Sequence, residues 1–559
     1  MKLKEYIVWL TRVSHGMRWR IALNSLSGMA HVALSLSFIW ICKRLVDIAT
    51  GDIEGSFSTY AIAMGCCVIM QLLVSVVGSR VGVLTEMRMA NMLRQKLFTR
   101  IMESRWLGRE QMHTGDMLNR LEGDVATVAD LVCRVVPAVL VTLTRLSAAF
   151  VFLLLLDWRL ALILSCIMPL ALLMSKSYVM RMRRLTKEIR ATDSKVQAHL
   201  QENLQHRTLI SSLEQRSNVA DALEGLQFGL YQQVKNRNTY SLFSRSVVQF
   251  GFAAGYSAAF LWGVAGLYSG AITFGMVTAF LQLVNQVQRP IVDLGSQLPS
   301  FIRGFIAVER LDEIAQLPAE EQGEPIRLSG VPGVRMNDVT FTYHDGNSAV
   351  IEHFSHDFKP GSMTAVVGET GVGKSTMMRL ILALLLPDSG RISFYNHERE
   401  VTASPMTRCN IVYVPQGNTL LTGSIRDNLL LGNPEATDAE LRQALHIAVA
   451  DFVHDLPDGL DSRCGELGAG LSEGQAQRIA IARGLLRPGG VLLLDEPTSS
   501  LDKDTERMLL KRLSENIGNR TLIIVTHRDA ISQMCADTVW VSRNSKQNPE
   551  QKYIAKHCE

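Results

Sequence analysis

Residues 246–288 contain no Asp, Glu, Lys or Arg, and the run is about twice as long as one membrane crossing requires. A bilayer core about 30 Å thick takes roughly 20 residues of helix, so this run holds two spans, folded at Ser269-Gly270. Four more apolar runs precede it. Residues 21–42 carry only His31 as a candidate charge, 60–79 carry none, and 135–156 carry Arg145. Residues 160–175 are short, with Trp158 and Lys176 at the ends as interface anchors. The pattern predicts six transmembrane helices. A soluble helical core would alternate apolar and polar faces, and these runs do not.

Loop charge sets the orientation. The stretch between the second and third spans carries Arg80, Arg88, Arg94, Lys96, Arg100, Arg105, Arg109 and Arg120, and that between the fourth and fifth is as basic, from Arg181 to Arg245. The segments 50–58 and 269–271 have no Lys or Arg; Lys43 and Arg44 are a minor exception. Positive charge favours the cytoplasmic side, so both long stretches and both termini are predicted there. The spacing of Leu93, Leu97 and Ile101, and of Leu118, Leu121 and Val125, predicts helices that continue past the bilayer as stalks. At the start, Lys2, Lys4, Arg12, Arg18 and Arg20 surround Ile7, Val8, Trp9 and Leu10, the pattern of an interfacial amphipathic helix leading into the first span.

Polar side chains inside spans are costly. Arg145, and Gln282, Asn285, Gln286, Gln288 and Arg289 just before Pro290, stand out. They read either as a polar-lined cavity for cargo or as interhelical hydrogen bonds and snorkelling. The nine cysteines form no C-x-x-C pair and read as reduced, small buried side chains. A net charge of +4 with no basic block gives no sign of nucleic acid as a partner.

Composition changes after about Phe305. Residues 316–333 are rich in Pro, Gly and Glu, and short β-like runs then alternate with helical stretches, as in an α/β domain. Gly368-Glu369-Thr370-Gly371-Val372-Gly373-Lys374-Ser375-Thr376 fits G-x-x-x-x-G-K-[ST] between an apolar run and a helical one. Its glycines let consecutive N–H groups wrap a polyphosphate, Lys374 would reach the β- and γ-phosphates, and Ser375 would ligate Mg²⁺. Val491-Leu492-Leu493-Leu494 reads as a buried strand with Asp495 and Glu496 at its C-terminal end, where open α/β sheets bind ligands. Asp495 is placed to hold Mg²⁺ through water, and Glu496 to polarise the attacking water.

Between these elements lies Leu471-Ser472-Glu473-Gly474-Gln475, followed by a helix rich in Ala, Ile and Arg. Here the chain resembles the ATP-binding cassette family, whose signature L-S-G-G-Q it matches at four of five positions, with Glu473 the departure. The resemblance implies that Ser472, Gly474 and Gln475 cap the ATP of the opposite subunit, hence a dimer; the notable alternative to identical chains is a heterodimer whose partner dominates catalysis. It also implies that Tyr343 stacks on adenine and that Gln416 senses Mg²⁺ and the membrane domain. Gly465-Glu466-Leu467-Gly468 resembles the loop touching the coupling helices, Ser499-Ser500-Leu501-Asp502 the loop crossing the dimer interface, and His527 the γ-phosphate switch. Thr114-Gly115-Asp116 would lie by one coupling helix and residues 202–211 would hold the other. The tail after Val541 lacks the family's usual closing segment, and Pro497 stands where exporters often have Ala.

The expectation is therefore a multidomain membrane protein: an all-α six-helix transmembrane domain (1–310), a linker (311–334) and an α/β phosphate-loop NTPase (335–559). It resembles a half-size exporter in the bacterial inner membrane, using ATP and Mg²⁺ to move an unidentified cargo across the lipid bilayer. A channel or receptor on the same scaffold is the rival of different kind.

Overall fold

The computed structural model describes residues 3–105, 114–343, 348–369, 371–465, 470–516, 518, 520–532 and 534–541, and side chains within 164–180 are not described. The chain divides into two compact units, one of residues 1–98 and 115–315, the other of 99–114 and 316–559.

The first unit is helical. The helix Leu3–Val13 leads into the long helices Arg18–Thr50, Phe57–Met102, Trp158–Gln205, Arg216–Tyr268 and Phe274–Ala315, with Gly115–Leu156 between the second and third of these. Phe57–Met102, Gly115–Leu156 and Arg216–Tyr268 are long and apolar enough to cross a membrane by length and composition. The outer face of Phe57–Met102 is apolar yet uncovered, with Leu72 64% and Val76 60% exposed. Such a surface suits hydrocarbon, not water. Inside, Ala149, Leu153, Leu160, Phe280, Leu283 and Val284 form a dry core.

Polar residues act as clasps at helix ends. Asp157 caps Trp158–Gln205 by accepting from the Arg159 and Leu160 amides at 2.8 and 3.3 Å, and its other oxygen accepts from Trp262 Nε1 at 2.8 Å. Asp47 is fully buried; it accepts from the Gly275 amide at 3.0 Å and from Lys43 Nζ at 3.0 Å. A Cβ on Gly275 would stand 2.2 Å from Asp47 Oδ1, so glycine is required for this approach. The Lys43 exception to the charge pattern is thus an ion-pair partner. Of the polar cluster before Pro290, Gln286 Nε2 donates across helices to Ser35 Oγ at 2.9 Å, while buried Gln288 leaves its Nε2 without a partner among the described residues. Gly115–Leu156 contains two π turns, Arg120–Asp124 and Leu131–Val135. At the first, Arg120 is clasped by Asp116 at 2.8 Å and Glu313 at 2.6 Å, beside the expected coupling segment. The helix break at His206 falls inside residues 202–211, where the second coupling helix is expected; the short helix Arg207–Ser212 follows.

The second unit is α/β. In chain order its strands are β1 (Gly333–Phe341), β2 (Ile351–Phe358), β3 (Met363–Val367), β4 (Ser389–Tyr395), β5 (Glu400–Thr402), β6 (Ile411–Val414), β7 (Gly423–Ser424), β8 (Arg463–Cys464), β9 (Val491–Asp495), β10 (Thr521–Thr526) and β11 (Asp537–Trp540). A sheet ordered β2-β1-β4-β5 is antiparallel, and one ordered β11-β3-β10-β9-β6 is parallel. The parallel strands read as continuous apolar runs because both faces are covered, with Leu492, Leu493 and Leu494 at zero exposure. Truncating one of them to alanine would cost about 2–5 kcal/mol. β3 and β9 flank β10, so the loops that follow β3, β9 and β10 meet at one edge.

Candidate nucleotide-binding site

The loop after β3 enters the helix Lys374–Ile381. Gly371 and Gly373 take φ of 86° and 106°, and a Cβ on Gly373 would sit 3.0 Å from the Val350 side chain, so the sequence's glycines are steric requirements. Gly368 closes on the Val541 carbonyl in the same way. Val372 and Lys374 are buried. Lys374 Nζ donates to the Gly368 and Glu369 carbonyls at 2.6 and 2.9 Å, curled onto its own loop. Thr370 lies outside the described residues, as do Glu466, Leu467, Gly468 and the chain after 541.

Beside the loop, the Ser375 hydroxyl is hydrogen-bonded to the Asp495 carboxylate at the end of β9. Burial pushes the Asp495 carboxyl above the ordinary aspartate range, and the Glu496 charge adds to this against the Ser375 bond and the charges of Arg379 and Lys374. Tyr413 on β6 is raised to about 12, first by burial and then by the Asp495 charge. A buried carboxylate and a partly buried hydroxyl that converge are hard oxygen donors, which suit Mg²⁺.

Glu496 has a left-handed backbone, φ 48°, a conformation that costs a non-glycine residue of order 1 kcal/mol. Three bonds hold it there: its amide donates to the Val525 carbonyl at 3.0 Å, and its carbonyl accepts from Gln477 Nε2 at 2.8 Å and the Ser499 amide at 3.3 Å. The twist aims the carboxylate at two of the residues expected from sequence. Gln416 Nε2 donates to one oxygen at 2.9 Å, and His527 Nδ1 stands 3.4 Å from the other.

Tyr343 rests edge-on against Phe341, and its hydroxyl meets Thr376 Oγ1 at 3.0 Å and Arg379 at 3.3 Å. That anchors it beside the phosphate loop. Ser472 and Gln475 cap the helix Glu473–Leu486 reciprocally: the Gln475 amide donates to Ser472 Oγ at 3.2 Å and the Ser472 amide to Gln475 Oε1 at 2.9 Å. Gly474 is buried against the Ser500 carbonyl, 2.7 Å from where its Cβ would be.

Gln477 and Arg528 escape the sequence reading. Gln477 sits one helical turn inside the signature helix, and its role shows only through its contact with Glu496. Arg528 follows His527 and reaches the Ser499 carbonyl at 3.2 Å and buried Glu506 at 2.7 Å; Glu506 also accepts from Thr498 Oγ1 at 2.8 Å. The chain position next to His527 was the only available signal.

Residues 21–291 match the family described as ABC transporter transmembrane region, and 351–499 that described as ABC transporter, together three quarters of the chain. The serine protease/ABC transporter B family protein tagA of Dictyostelium discoideum is 28% identical over 510 residues, 89% of this chain and 29% of that protein. The alpha-hemolysin translocation ATP-binding protein HlyB of Escherichia coli O157:H7 is 34% identical over 271 residues, 48% of this chain and 38% of its own length. The fatty acid ABC transporter ATP-binding/permease protein of Mycobacterium tuberculosis is 28% identical, with 74% of this chain and 66% of that protein covered. The chain thus spans well under half the length of the first two. A solved bacterial Atm1-family ABC exporter with ATP bound superposes with a TM-score of 0.76 over 94% of each chain at 22% identity, a likeness of fold.

Proposed function

This chain belongs to the ABC transporter family, and from that premise we propose that it is a half-transporter whose dimer uses ATP hydrolysis to export or flip a cargo. The observation that carries the proposal is the Glu496 carboxylate, aimed by a strained backbone and met by Gln416 and His527 beside buried Asp495 and its Ser375 partner.

In this reading 1–310 is the membrane domain, 311–334 a linker and 335–559 the cassette, with the long basic stretches facing the cytoplasm of a bacterial inner membrane. Lys374 exchanges the carbonyls of Gly368 and Glu369 for the β- and γ-phosphates. Tyr343 offers its ring to adenine. Ser375, Asp495 and Gln416 would hold Mg²⁺, which when bound would neutralise charge on the phosphate oxygens. Ser472, Gly474 and Gln475 present their helix N-terminus to the nucleotide of the second subunit. Glu496 takes a proton from the attacking water and His527 donates a hydrogen bond to the γ-phosphate; the γ-phosphorus bond to the ADP oxygen breaks as the bond to water forms. Both Glu496 partners must release it first, so closure of the dimer and activation of the base are one event.

The test is ATP turnover of the full chain in lipid nanodiscs beside Glu496→Gln, with subunit mass measured on the same sample. Turnover in a dimer of identical chains, lost in the variant while ATP binding persists, is expected. Near-normal hydrolysis in the variant would remove Glu496 from this role, and a monomer without turnover would point to a missing partner chain.

A further inference from the structure

A groove of about 590 Å³ opens in the first unit between the helices Leu3–Val13, Arg18–Thr50 and Gly115–Leu156. Leu10, Ala22, Met29, Val136 and Leu140 line it, and Arg18 stands at one end. We propose that this groove holds one acyl chain of an anionic phospholipid from the surrounding bilayer, with Arg18 at its head group.

The polarity of the walls runs one way. Thr11, Ser14 and Arg18 gather where the first helix passes into the second; Leu26, Met29 and Leu140 lie at the far end. The hydroxyls in the wall make no demand on a ligand, since Ser14 Oγ donates to the Thr11 carbonyl and Ser25 Oγ to that of Ile21. Residues 21–29 and 132–140 each form about 12 Å of helix, so the groove runs along the spans from the end that the loop charges predict to face the cytoplasm. Polar at the interface and apolar toward the bilayer interior, it has the shape of one lipid leg.

The walls of the groove are fixed in place. Tyr6 donates its hydroxyl to Glu309 and packs its ring 4.7 Å from Phe305, and Trp9 is buried, so the first helix is anchored away from the cleft. The other two walls are tied to each other, Asn24 Nδ2 donating to the Cys133 carbonyl at 3.1 Å, inside the π turn Leu131–Val135 from which the third wall rises. A π turn inserted in a helix is common at functional sites. The chain around the opening carries Lys4, Arg12, Arg18 and Arg20 against Glu5. Arg18 is exposed and, among the described residues, uses one donor, Nη2, on the Thr11 carbonyl at 2.7 Å, so other N–H groups face outward for a phosphate. Charge and position together single out an anionic lipid, not a second helix, as the occupant.

The experiment reconstitutes the full chain in vesicles with equal phosphatidylglycerol and phosphatidylcholine, extracts it in mild detergent and reads retained lipid by native mass spectrometry. Wild type should retain phosphatidylglycerol over phosphatidylcholine by about fivefold. Ala22→Trp, which fills the groove, should lose most of the retained lipid, and Arg18→Ala should keep lipid but lose the preference. Melting temperatures check folding, and Leu140→Trp on the opposite wall decides if Ala22→Trp does not fold. Retention of neither lipid by wild type, undiminished retention in the filled variant, or an unchanged preference without Arg18 would each overturn the proposal. ATP turnover is not read, so the outcome is independent of the transport reading.

Discussion

Two buried aspartates, one in each unit, show how the same side chain takes opposite parts. Asp47 in the helical unit is fully buried and has its charge answered by Lys43 and its remaining oxygen by the Gly275 amide. Asp495 in the α/β unit is 5% exposed and touches the hydroxyls of Ser375 and Tyr413. Burial outweighs every favourable charge around it, and its carboxyl is raised. A buried acid with a fixed cation is a clasp. A buried acid that the fold leaves under-compensated is a place for a cation to arrive.

The largest effect that sharpens this contrast is at Glu496, the neighbour of the under-compensated acid. Glu496→Gln should keep the Gln416 contact and ATP binding but reduce kcat by about 10²–10⁴-fold. Next is Asp495→Asn, which should weaken Mg²⁺-dependent nucleotide binding at least about tenfold. The sign with pH follows from the raised carboxyl. Protonation competes with the cation, so Mg²⁺ affinity falls as pH is lowered toward the raised pKa and levels off above it. Titration calorimetry of wild type and Asp495→Asn at several pH values decides; an equally steep pH dependence in the variant would assign it to another group.

Arg528 comes third. It ties the turn after β10 to residues 499 and 501 and to Glu506, so it acts on Glu496 and His527 only through others. Arg528→Ala should lower kcat about tenfold with little change in KM for ATP, and Arg528→Lys should recover part of the loss. A shift in KM alone, or no difference between lysine and alanine, would leave it a stability residue. Asp47→Ala tests the opposite pole. It should cost about 2 kcal/mol by stranding Lys43 and the Gly275 amide, lowering the melting temperature while ATP affinity stays put. A loss of nucleotide binding there would break the distinction between the two acids.

What the sequence disclosed, and what it withheld, follows the range of the interactions. The phosphate loop was legible because three glycines and a lysine between a strand and a helix have no cheaper explanation, and Gly371 and Gly373 do take positive φ. The membrane unit was legible because the absence of charge over 20 residues leaves little choice. The Asp47–Gly275 clasp, 228 residues apart, was not, since nothing near Asp47 names its partner. Nor was the left-handed turn at Glu496, which is set by Val525 and Gln477 from separate elements together with the local Ser499 turn bond. Of the polar cluster before Pro290, pattern alone left cargo contact and interhelical bonding equal; the Gln286–Ser35 bond gives one member to the second.

The smallest predicted effect concerns Glu473, the departure from the family signature. It occupies the first turn of the helix Glu473–Leu486, where a negative side chain favours the helix dipole by about 0.3–1 kcal/mol. In the proposed dimer the same helix end faces the partner's nucleotide, and there the charge opposes the phosphates. The two effects have opposite sign on different readouts. Glu473→Gln should leave stability slightly lower and raise apparent ATP affinity about two- to fivefold at low salt, with the gain fading as salt is added. Because the Ser472–Gln475 cap survives the substitution, helix geometry is not the variable. An affinity that does not change, or changes without salt dependence, would mean that the helix end does not face a phosphate in the working assembly.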